Sequence, residues 1–156
     1  MTYLVLKYFH ILSMVVLFGT GLGTAWYKWM ADRNGDVGHI AIMNRHVVLA
    51  DWLFTTPAII FQPVSGFWMV ALTGISLSTP WIAWSLALYL LAGVCWLPVV
   101  WLQIRMRTLA TQAAAENAAL PALYWHYARI WFWLGVPAFA AMLAVVFLMV
   151  FKYNGF

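Results

Sequence analysis

The chain has 156 residues, of which 66% are hydrophobic and only 8% charged, against roughly 25% charged in a soluble domain. That composition excludes a soluble globular protein, and four long apolar runs leave no length for a second domain, so residues 1–156 read as a single transmembrane domain. The net charge of +4 does not mark a nucleic-acid binder, because the eight Lys and Arg are scattered over helix ends rather than gathered on one solvated face.

The first predicted helix covers about 3–29. Its apolar run, about 3–27, outlasts the apolar core of about 7–15 residues in a signal peptide, so it is expected to remain as a helix. It holds a histidine, His10, inside that run. At about 100° per residue His10 and Lys28 share one azimuth, with Lys7, Met14, Leu17, Gly21 and Thr24 close to it. A histidine at membrane depth is rare and normally faces the protein interior, so the other helices are expected to be arranged around His10. Gly19-x-x-x-Gly23 is a small-xxx-small pair that lets another backbone approach, in this chain or in a homodimer. The same glycine-rich patch would leave room for a flat macrocycle beside the histidine. Residues 31–39, Ala31-Asp32-Arg33-Asn34-Gly35-Asp36-Val37-Gly38-His39, read as a polar, solvated loop.

The second helix is predicted over about 44–72. Asn44, Asp51, Thr55, Gln62 and Met69 fall on one face with Ser65 near it, which is a polar stripe inside a membrane helix. Asp51 is a candidate proton carrier, since an acid at mid-bilayer costs about 2.5–3.5 kcal/mol on insertion scales and needs a reason to be there. Pairing with an arginine is the alternative. Pro57 is expected to kink this helix. The third helix is predicted over about 81–108, with Ser85, Tyr89, Trp96, Gln103 and Arg107 on one face, and the fourth over about 122–151, opened by Pro121. Each run reaches the ~20 residues that cross a hydrocarbon core. Fold class is therefore all-α, an integral membrane four-helix bundle.

Orientation follows from Lys and Arg. The connection between helices 1 and 2 with its flanks carries Lys28, Arg33 and Arg45, and that between helices 3 and 4 carries Arg105, Arg107 and Arg129. The other side has only Lys7 and Lys152. By the positive-inside rule both termini lie on the outer, periplasmic side of a bacterial inner membrane, His10 sits in the outer half, and His46 and His126 lie near the inner surface.

A bundle with inward histidines and small residues can hold a b-type haem, the protein supplying axial ligands, aromatic walls and cations for the propionates. His10 is the first candidate for the haem iron. His126 and His46 are further candidates and could share a second haem across helices 2 and 4. Arg45 and Arg129 are candidate partners for propionates or an anionic substrate, or lipid anchors. Met14, one turn from His10, adds a soft ligand to a metal-transport reading, but the methionines form no dense ladder. A quinone or a membrane redox subunit is the expected electron partner, since nothing in the chain would dock a nucleotide. Against these stands a cofactor-free structural or assembly subunit of a larger complex, whose polar stripes serve as glue between helices.

Several short motifs resemble a known family. Lys7-x-x-His10 followed by Phe18-Gly19, Met43-Asn44-Arg45 followed by Thr56-Pro57-Ala58, and Arg129 followed by Val136-Pro137 resemble HemJ-type protoporphyrinogen oxidases. The ending Phe147-Leu148-Met149-Val150-Phe151-Lys152 is similar to a related set of small bacterial integral membrane proteins of unknown function, and CopD-type membrane domains resemble the chain more distantly. The HemJ resemblance implies four helices, a b-type haem near His10, quinone-linked electron transfer and, as a further alternative, the oxidase reaction itself. The chain departs from that family where it reads Trp81-Ile82-Ala83-Trp84-Ser85 in place of an early lysine, and Leu134-Gly135 in place of an Asn-Glu pair. Haem binding survives those departures better than protoporphyrinogen oxidation does.

Overall fold

The computed structural model describes residues 1–152; the closing residues 153–156 lie outside it. The described residues are helical throughout apart from short turns, with α1 at Thr2–Asn34, α2 at Val37–Ala50, a π-helical turn at Asp51–Thr55, α3 at Thr56–Thr73, α4 at Pro80–Ala115 and α5 at Ala122–Phe151. Helices are the only open-ended way to satisfy every backbone group inside lipid, where no water can do it. α1, the continuous Val37–Thr73 rod, α4 and α5 are each long and apolar enough to cross a membrane. The all-α, four-span expectation therefore holds.

Two compact units divide these helices. One comprises Met1–Gly74 with Arg107–Leu120, the other Ile75–Met106 with the chain from Pro121 on. In the first unit α1 packs along α2, the π-turn and α3. In the second, Trp101 of α4 meets Tyr127 of α5 edge to face at 5.6 Å, and the Arg105 guanidinium lies 5.9 Å from the Trp101 ring.

The expected nine-residue loop at 31–39 is in fact a two-residue turn. α1 continues to Asn34 and stops at Gly35, which adopts φ 78° and gives its N–H to the Ala31 carbonyl. Asp36 then caps α2, its Oδ1 accepting the His39 N–H at 2.6 Å. The polar composition read as loop belongs instead to helix-capping chemistry: a left-handed glycine at one end and an Asp side chain at the other. Gly35→Ala places a Cβ in the left-handed region and should cost about 1 kcal/mol of stability, whereas Gly21→Ala, in a helical conformation with nothing within 4 Å of the added Cβ, should cost nothing. A comparison of the two melting temperatures in one detergent checks this; equal losses would show that φ is not the cause.

Pro57 acts on the turn just before it. It has no N–H for the Leu53 carbonyl, and its ring would crowd that carbonyl in an α-helix. The backbone widens just before it, so that the Thr56 N–H reaches back to the Asp51 carbonyl across five residues. Such π-turns are rare and occur often at functional sites. Here the bulge presents Trp52, Leu53 and Phe54 outward while Asp51 and Thr55 stay buried.

Candidate functional site

The polar stripe of the second span faces inward: Asn44, Asp51, Thr55, Gln62 and Ser65 are all buried. Met69, at the end of the same face, is only half-buried. The stripe meets the face of α1 that carries His10. The Gln62 side-chain amide donates from Nε2 to the His10 backbone carbonyl at 2.9 Å, and the Ser13 hydroxyl makes a longer contact, 3.4 Å, with the Ala58 carbonyl. These cross-links hold α1 against α3 in an antiparallel register.

His10 is half-buried on that seam, its Nδ1 2.7 Å from Ser65 Oγ. The Ser65 hydroxyl, with no exposed surface, also lies 2.6 Å from the Phe61 carbonyl and 3.1 Å from the Gln62 carbonyl. A hydroxyl has one hydrogen, and both carbonyls can only accept. Ser65 therefore donates down its own helix and accepts from His10, so the imidazole carries its proton on Nδ1. Its Nε2 lone pair is left for another partner, and among the described residues Nε2 hydrogen-bonds to none. Gly66 completes the seat: a Cβ there would come within 3.7 Å of His10 Cε1, so a bulkier side chain would press on the ring edge next to Nε2.

Met14 lies half-buried one turn along the same face of α1. At the far end of that face is Lys28, fully buried, with its ammonium 2.6 Å from Asp32 Oδ2. Asp51 is held at the start of the π-turn, its Oδ1 accepting the Thr55 hydroxyl at 2.9 Å. The remaining sequence candidates, Arg45 and His46 on α2 of the same unit and His126 and Arg129 on α5 of the other, are exposed and make no hydrogen bond or ion pair among the described residues. No three His, Cys, Asp or Glu side chains come together as a metal site among the described residues; Asp32 pairs with Lys28, and Asp36 caps α2 through the His39 N–H.

Sequence reasoning found His10 and the buried stripe but missed three features: the Ser65 bond to His10, the Lys28–Asp32 pair and the π-turn. The first two had a signal, since Ser65 adjoins the stripe and Lys28 shares the azimuth of His10. Among the described residues a Cβ on Gly19, Gly21 or Gly23 would meet nothing within 4 Å.

Chemically, the seam offers one imidazole nitrogen with a free lone pair at membrane depth, backed by a fixed donor-acceptor chain. No curated protein and no solved structure matches the chain. A family model described as a predicted integral membrane protein matches residues 4–153, nearly the whole length, and the chain belongs to that family, DUF2269.

Proposed function

We propose that this protein holds a b-type haem through His10 and works as a membrane redox protein. The observation that carries the reading is the Ser65 bond, which fixes the His10 proton on Nδ1 and presents Nε2. Metal-bound histidines nearly always give their second ring N–H to an acceptor in this way, which orients the ring and raises its basicity. The residues present fit the group: an oriented imidazole, a ring edge unobstructed at Gly66, and Met14 one turn away as a possible soft ligand. Bound there, the haem would supply a one-electron couple. The chain's own contribution is to position His10, to wall off water with apolar side chains, and to offer Arg45 or Arg129 to anionic groups at the membrane surface. A lipid-soluble quinone or a membrane redox subunit is the electron partner in this reading, in a bacterial inner membrane with both termini outside.

A second reading, a cofactor-free assembly subunit, draws support from the same seam. Gln62, Ser13 and Ser65 bond across or along α1 and α3, as glue between helices does. An absorption spectrum of the detergent-purified protein, before and after dithionite, separates the two. A Soret band with α and β bands on reduction supports the haem; a colourless protein from haem-replete cells overturns it in favour of the subunit.

A further inference from the structure

Two arginines lie over tryptophan rings in the same local arrangement, one in each compact unit, and the haem reading uses neither. We infer that Trp29 with Arg33, and Trp101 with Arg105, are two seats for the phosphate headgroup of an anionic membrane lipid. The inference is independent of the haem, and a colourless protein would leave it standing.

The first support is a repeated piece of geometry. Both pairs read Trp-x-x-x-Arg on a helix. Helical side chains lean toward the N-terminus, so an arginine at that spacing reaches back over the indole one turn before it. The Arg33 guanidinium carbon lies 4.8 Å from the centre of the Trp29 ring, and that of Arg105 lies 5.9 Å from the centre of Trp101. Both fall inside the ~6 Å reach of a cation–π contact. Each indole is held in turn by another ring, Trp29 by Trp26 at 5.4 Å and Trp101 by Tyr127 at 5.6 Å. All four side chains of the two pairs are exposed. Of the nearby acids, Asp32 takes Lys28 at 2.6 Å and Asp36 caps α2, while the α4 sequence contains no Asp or Glu.

The second support is depth. No Asp, Glu, Lys or Arg stands between Lys7 and Lys28 on α1, or between Pro80 and Arg105 on α4. At 1.5 Å per residue these stretches are about 30 and 36 Å long, enough to cross a hydrocarbon core. Trp29 and Trp101 stand at their ends, the level at which indoles settle in a bilayer. Each arginine is one turn further out, about 6 Å along its helix, and so at the level of the lipid phosphates.

The third support is the chemistry of a stacked guanidinium. Its flat face rests on the indole, and its N–H groups, which lie in its plane, still point outward. That planar fork matches two oxygens of one phosphate. Stacking also fixes in advance the side-chain freedom that binding would otherwise remove. A lysine would bring the charge without the fork. An anionic lipid is the occupant favoured, because the quaternary ammonium of a zwitterionic headgroup competes with the arginine for the same phosphate, whereas net negative charge adds to the attraction.

Native mass spectrometry of the whole protein in detergent, with phosphatidylglycerol or phosphatidylcholine added, tests this. Phosphatidylglycerol should be held the more tightly. Arg33→Gln and Arg105→Gln should each retain one phosphatidylglycerol fewer than the unaltered protein, and the double variant two fewer. Arg33→Lys, Arg105→Lys and Trp29→Leu keep every charge, and each should weaken binding at its own seat about threefold. Lysine variants that bind as tightly as the unaltered protein would reduce the pairs to general surface charge and overturn the inference. Equal retention of the two lipids would overturn it too. So would displacement of phosphatidylglycerol by an equal concentration of inorganic phosphate, which would make these seats for a soluble anion. Arg→Gln variants that lose helicity while the lysine variants bind normally would show that the arginines serve the fold instead.

Discussion

His10→Ala is expected to abolish the haem spectrum while leaving the helices folded. The side chain is only half-buried, and the bond it makes to Ser65 contributes about 1 kcal/mol net. Gln62 bonds to the His10 backbone carbonyl, so that cross-link survives the substitution. Loss of colour with unchanged helicity and elution volume is therefore the expected result. His10→Ala protein that keeps the full spectrum would remove His10 as the ligand and direct attention to His46 and His126. Ser65→Ala gives a graded companion. It should weaken haem binding about 10–100-fold, as loss of an outer hydrogen-bond partner typically does. Ser65→Thr, which keeps the hydroxyl, should restore most of it. Equal loss in both Ser65 variants would mean that the site responds to packing rather than to the bond.

The number of spans and the inward face of the second span were legible in the sequence for one reason. In lipid the polar residues of a helix seek each other, so the spacing of Asn44, Asp51, Thr55, Gln62 and Ser65 reports burial directly. His10 was legible on the same logic. Helix ends were less so, because Asp32, Asn34, Gly35 and Asp36 look alike whether they line a loop or cap two helices. Only the Gly35 φ and the Asp36 side-chain bond separate these cases, and both depend on the path of α2. The π-turn could not be read off either: proline announces a missing N–H, but not whether the helix answers by bending or by widening. The Ser65 bond to His10 needs the register between two helices, which no single-helix periodicity contains.

The largest stability effect is expected at Lys28 and Asp32, and the pair should respond unequally to substitution. The Lys28 side chain has no exposed surface, whereas that of Asp32 is 13% exposed. Removing one partner of a buried pair costs about 3–5 kcal/mol, chiefly because the other charge is left in a poor solvent. Asp32→Ala takes away the carboxylate 2.6 Å from a fully buried ammonium, so a loss of about 3 kcal/mol is expected. Lys28→Met keeps the volume of the side chain and leaves only Asp32, whose carboxylate can reach water, so it should cost about 1 kcal/mol. The double variant should then be more stable than Asp32→Ala alone, because it also removes the buried ammonium that has lost its 2.6 Å carboxylate. Thermal unfolding of the three proteins in one detergent measures this as a double-mutant cycle. The low exposure of Lys28 also predicts that added salt changes these differences little, since screening acts mainly on exposed charges. Equal losses in the two single variants, or differences that disappear in high salt, would show that Lys28 and Asp32 behave as a surface pair despite their burial.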